Sequence, residues 1–246
     1  MLLAAAVVCA ADPVAAQTTG LAGRIAAVRE GTVLMRFDAR PGVCGDDSGS
    51  VWTSHVDGLR DNGRYTCIRG PVVVRLGRSD GQTISVRTTV GIRGTSASAG
   101  DLGEVDATEA AKYLVALART LGGRSADDAL SAAAFADGAD ISRDLLAFVR
   151  DGDVSLPSRK QALFWLGQTS NSTRDLVSLD GALTGASLRE HYTFVLSQRH
   201  DEESVDKLID IARVDRDVKV RKQALFWLGQ SRDPKALKFF RELLTR

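Results

Sequence analysis

The residues of this chain whose types could do chemistry are few and scattered. Cys44-Gly45-Asp46-Asp47-Ser48-Gly49-Ser50 places two serines among glycines and acids, with His55 shortly beyond. Nucleophilic catalysis needs a base within hydrogen-bond reach of the hydroxyl and an acid that orients the base. The other histidines, His191 and His200, stand beside Glu190 and Asp201 as adjacent pairs, an arrangement usually solvated on a helix. A zinc site would need three or four converging ligands, and no HExxH, phosphate-binding loop or dinucleotide fingerprint occurs. No cofactor, metal or catalytic residue is therefore expected. Asn171-Ser172-Thr173 fits the glycosylation pattern and reads as a polar turn.

The elements that would position a site are announced by an internal repeat. RKQALFWLGQ occurs at Arg159 to Gln168 and again at Arg221 to Gln230, with a degenerate copy, REHYTFVLSQ, at Arg189 to Gln198. Starts at 159, 189 and 221 are 30 and 32 residues apart, which fits one helical hairpin per unit stacked as an α-solenoid. Such folds usually bind rather than catalyse. Aligned on the arginine, Asp128 falls in register with Arg159, Arg189 and Arg221 as a first, degenerate copy. Leu146, Leu176 and Leu208 sit 13 residues before each of the three arginines, and Val149, Leu179 and Ile211 sit 10 before them. Two apolar columns three residues apart make the stripe of a first helix, so the whole hairpin recurs.

Asp215-Arg216-Asp217-Val218-Lys219-Val220-Arg221, followed by Ala224, Leu228 and Gly229, resembles the HEAT repeat in its short bacterial form. The earlier copy matches at Asp153, Arg159, Ala162, Leu166 and Gly167, with Pro157 in a first-turn position that tolerates its missing N–H. The central copy departs, with Tyr192 for Ala and Ser197 for Gly, and looser packing is expected there. The resemblance spans about residues 106 to 246. It implies a right-handed α-α superhelix there, with one face presented to a protein partner, and with the β-rich residues before it the expected fold class is α+β. It also implies that Arg159, Arg189 and Arg221 are structural, bridging to acids such as Asp153 and Asp217. Similar repeats occur in proteins resembling bilin lyases, which leaves a lyase-like accessory enzyme as an alternative. A hydrolase with its site near the Cys44 to Cys67 loop is the other. The Cys44 to Ser50 segment resembles that around a trypsin-like serine, yet every histidine follows it, the reverse of that family's chain order.

At about 100° per residue, Ala162, Leu163, Trp165 and Leu166 share one side of a helix, and Gln161, Phe164 and Gln168 the other. The second set recurs as His191, Phe194, Gln198 and as Gln223, Phe226, Gln230. Stacked units would align three phenylalanines rimmed by polar side chains, a composition suited to binding a partner. Packing of the same rings between units is the competing reading. Trp165 and Trp227 are expected in the core.

Residues 17–105 read as a small β-rich domain. Thr32 to Phe37 and Pro71 to Leu76 favour strands, and Val72 to Val90 reads as a hairpin turning through Ser79-Asp80-Gly81 with one face wet. Gly94 to Gly100 reads as a linker. Asp106 is a candidate N-cap with Glu109 as its capping-box partner, and Gly122-Gly123 ends that helix. Residues 1–16 form an apolar stretch ending in small residues, which suits a secretory signal cleaved before Gln17 although no basic residue begins it. Two cysteines then remain, Cys44 and Cys67, expected to pair in a periplasmic or extracellular setting. Lys+Arg of 32 against Asp+Glu of 31 leaves no excess charge for a nucleic-acid backbone, and beyond the signal no apolar run spans a membrane. The expected protein is an exported, non-enzymatic interaction module.

Overall fold

The computed structural model describes residues 20–46, 49, 51–53, 67–91, 100–169, 173–179, 181–199 and 201–245. The proposed signal, Asp47, Ser48, Ser50, His55, Asn171, Ser172, His200 and most of the expected linker lie outside those residues. Within them the chain is a mixed α+β structure of ten helices, a four-stranded sheet and a two-stranded ribbon.

Sheet order is set by one hairpin and one return. β4 (Val72–Ser79) and β5 (Gln82–Val90) are antiparallel and joined through Asp80 and Gly81, with φ of 51° and 75°. Two successive positive φ values match the right-handed twist of the flanking strands. β1 (Gly31–Phe37) pairs antiparallel with β4, Met35 opposite Val74, and β6 (Asp101–Glu104) closes the order β5-β4-β1-β6 by lying parallel to β1. Gly100, at the end of the expected linker, is already tied to the sheet, because Leu34 N donates to its carbonyl at 2.9 Å. The register slips between Gly77 and Arg78, where a Cβ on Gly77 would meet Ser85 Oγ at 2.3 Å. Ile84 is the unpaired residue of that bulge and is 61% exposed, whereas Val86 and Val90 are buried.

β2 (Val43–Gly45) and β3 (Val51–Thr53) form the separate ribbon. Cys44 and Cys67 are joined as a disulfide with Cα atoms 5.0 Å apart, and Gly45 and Ile68 exchange backbone hydrogen bonds of 3.0 and 2.9 Å beside it. A side chain at Gly45 would drive its Cβ to 2.1 Å from the Val90 carbonyl oxygen, so the ribbon lies directly against the end of β5.

After α1 (Leu21–Ala27), the helices run α2 (Ala107–Ala118), α3 (Gly123–Phe135), α4 (Ser142–Arg150), α5 (Leu156–Thr169), α6 (Thr173–Val177), α7 (Ala186–Ser197), α8 (Glu202–Val214), α9 (Val218–Gln230) and α10 (Pro234–Leu244). Aspartates fix several starts. Asp106, Asp201, Asp217 and Asp233 accept from backbone N–H groups in the first turns of α2, α8, α9 and α10 at 2.7, 2.9, 2.8 and 2.7 Å. Only half of the expected capping box forms, because the Glu109 carboxylate accepts instead from Leu21 N at 2.7 Å and ties α1 to α2.

α2 packs on α3, α4 on α5 and α8 on α9, while α3, α5, α7 and α9 touch in succession. α6 is a single short turn leaning on α5 and α8, and α10 rests on α8 and α9. α3 faces both ways, against α5 and against β5 and β4, so sheet and helices share one apolar core from Leu21 to Phe239. No helix among the described residues is long and apolar enough to cross a membrane.

The disulfide closes a loop with a sequence separation of 23, and chain entropy assigns such a closure about 3 kcal/mol. Replacing Cys44 and Cys67 together by Ser should lower the free energy of urea unfolding by about that amount, with the helical circular dichroism of the folded protein unchanged.

Candidate functional site

The three repeat arginines occupy the fourth helical position of α5, α7 and α9, but their partners differ from those the resemblance implies. Arg159 is buried and its Nε donates to the Val149 carbonyl at 2.8 Å, while Asp153 is exposed. Asp217 is the cap of α9 and not the partner of Arg221. Asp215 is the acid that matters. Its carboxylate accepts from Arg189 Nε at 2.9 Å and Nη2 at 3.3 Å and from Asp217 N at 2.8 Å, and its carbonyl accepts from Arg221 Nη1 at 2.6 Å. One residue thus joins the arginines of two consecutive units. With the Arg189 and Asp215 side chains only 14% and 11% exposed, the pair is largely shielded from solvent and from screening.

The expected phenylalanine row sorts by burial. Phe164 and Phe194 are half-buried and pack on the core, whereas Phe226 is 52% exposed. Each ring leans on a neighbouring aromatic: Phe164 on Trp165 at 5.0 Å, Phe226 on Trp227 at 4.9 Å, and Phe194 across to Trp227 at 5.4 Å between centroids. Gln161, Gln168 and Gln223 are half-buried, and Gln198 and Gln230 are exposed. Trp165 is buried as expected, with its ring 5.2 Å from Phe135, but Trp227 is only partly covered. His191 Nε2 lies 3.0 Å from the Lys160 carbonyl, bridging α7 to α5. Burial pushes the His191 imidazole below its ordinary value, against the opposing pull of that carbonyl.

Looser packing was expected at the central copy, and the structure divides the point. Tyr192 is buried and its hydroxyl donates to the Leu176 carbonyl at 3.0 Å, so it fills its space. Ser197 borders a cavity of about 510 Å³ between the C-terminal ends of α7 and α9, with Gln198, Trp227, Gln230, Ser231 and Asp233 also on its wall. One unit earlier the same interface is closed: a Cβ on Gly167 would meet Val195 Cγ1 at 2.4 Å. In the repeat register Ser197 replaces Gly167 and Trp227 replaces Val195. Both positions carry larger side chains where α7 packs on α9, and the cavity lies beside that contact. Sequence reasoning noticed Ser197 but missed the cavity, whose signal is the pairing of that change with Trp227.

No group of three or more His, Cys, Asp or Glu residues among the described residues could hold a metal ion. No protein-family model, no curated protein and no solved structure matches this chain.

Asp215→Ala should cost roughly 2–3 kcal/mol in urea unfolding, because it strands a shielded guanidinium and several donors. Asp153→Ala, at an exposed position, should stay within about 0.5 kcal/mol. For His191 the depressed folded-state value means that the unfolded chain takes up its proton first. Its contribution to stability is therefore present above the ordinary value of 6.5 and is lost as pH falls through that window. The melting temperature of the wild type should drop more between pH 7 and pH 5 than that of His191→Gln.

Proposed function

We propose that this chain is an exported, non-enzymatic interaction module whose helical part is a HEAT-type, right-handed α-α superhelix that docks a protein partner. The succession α3, α5, α7, α9 and the recurring arginine register support the superhelix reading. A disulfide between Cys44 and Cys67 supports an oxidising, periplasmic or extracellular location, in keeping with the signal read from residues 1–16. The β-rich part, with α3 against β5, closes one end of the helical array.

The observation that carries the reading is the polar-rimmed aromatic row on successive helices. Phe226 is its most exposed member, at 52%, flanked by Gln223 and Gln230. An aromatic ring presented among amides offers a partner apolar contact with hydrogen bonding at its edge. The half-buried Phe164 and Phe194 anchor the row to the core, so they serve packing as well as contact.

Placing a photo-crosslinking residue at Phe226 in the native envelope should yield one dominant protein adduct, identified by mass spectrometry. The same residue at Glu203, exposed on α8, should not. Equal adducts from both positions, or none from Phe226, would sink the docking face. Phe226→Ala should reduce capture of the adduct's protein while moving stability by less than about 1 kcal/mol. Phe194→Ala should lose roughly 2 kcal/mol, because it also empties packing volume.

A further inference from the structure

The cavity between α7 and α9 has a filled counterpart one unit earlier in the chain. There Arg199 donates from Nη1 to the Gly167 carbonyl at the end of α5 and from Nε to Asp201 at 3.1 Å. In the repeat register the position of Arg199 is taken by Ser231, that of Asp201 by Asp233, and that of Gly167 by Ser197. The acceptors are kept and the arginine is gone. Ser231 is too short to span the gap, and its hydroxyl accepts from Asp233 N at 3.0 Å instead.

What remains on the wall fits a guanidinium. Asp233 uses one carboxylate oxygen to cap α10 through Lys235 N at 2.7 Å, and its other oxygen has no bond among the described residues. In the earlier unit Asp201 is further engaged by Thr173, but Val205 stands at that place and lines the cavity. The C-terminal end of α7 adds the partial negative charge of its carbonyls. Trp227 also lines the cavity, and an indole is the best ring for a planar cation to lie against. Its Nε1–H is buried and has no acceptor among the described residues, so the indole N–H reports on changes in packing beside the cavity. Two cations also border the space. Arg199 is engaged by Asp201, and Arg232 is exposed at the rim.

We propose that this cavity receives an arginine side chain from the protein partner, its guanidinium held between Asp233 and the end of α7 and lying against Trp227. This deepens the reading of the chain as a docking module, on which it rests. Arg199 is the built-in version of the same contact.

The test is an NMR titration of the full-length protein with acetyl-Ala-Arg-Ala-amide, following the Trp227 indole N–H resonance. The expected result is a saturable shift, with the citrulline analogue, which keeps the shape and loses the charge, at least roughly tenfold weaker. Asp233→Asn retains a capping side chain and should weaken binding by a similar factor. Ser231→Arg should abolish the titration and raise the melting temperature, by restoring what Arg199 does one unit back. Citrulline binding as tightly as arginine, or Asp233→Asn binding like the wild type, would overturn the proposal. So would an acetyl-Ala-Glu-Ala-amide peptide binding more tightly than the arginine peptide, since Arg232 would then be the determinant. A failed titration with the Phe226 adduct intact would remove this cavity from the interface and leave the docking face standing.

Discussion

Side-by-side contact of α3, α5, α7 and α9 is the constraint on which the other features rest. A helix of some 13 residues is marginal alone, so each must bury its stripe on a neighbour. The spacing between neighbours is then set by the smallest side chains at the crossing. Gly167 brings α5 to Val195 of α7, whereas Ser197 and Trp227, at the same register positions one unit on, border the cavity beside α7 and α9. At one register position the stack is closed, and one unit on it borders a cavity.

Polar ties fix what apolar contact alone would leave free to slide. Asp215 engages Arg189 from one unit and Arg221 from the next, and Arg40, from the β-rich part, donates from Nη1 to the Gln168 carbonyl at 3.2 Å. The second bond caps the end of α5 from the sheet side, much as Arg199 covers the Gly167 carbonyl from the helical side. Arginines at helix C-termini thus recur as fasteners here, and burial lowers the pKa of Arg40 without threatening its charge at neutral pH.

Much of this was legible in the residues. Periodicity located the helices of the repeats, Asp-Gly located the hairpin, and an even pair of cysteines implied the disulfide. The capping aspartate at 106 was also readable, because the N-cap depends on one local bond. Long-range choices were not. Glu109 had two possible N–H partners, and the one 88 residues away won. Arg159 prefers a carbonyl to Asp153 because the guanidinium is buried beside Val149, a fact of packing that no spacing reveals. The bulge that exposes Ile84 depends on two strands whose mutual register their separate patterns do not fix. In the site, Phe164, Phe194 and Phe226 were readable as one column of the repeat, but that Phe226 is exposed where the other two are half-buried depends on how far each neighbour covers it.

Coverage also differs between α3 and α10. At one end α3 is clamped between β5 and α5, its alanines shut away; at the other, α10 buries Ala236 and Phe239 and leaves Leu237, Leu243 and Leu244 at 52%, 50% and 84% exposure. Local opening therefore costs less at α10 than at α3. Asp233 begins α10, so whatever grips its carboxylate also holds the first turn of a helix whose leucines are largely uncovered.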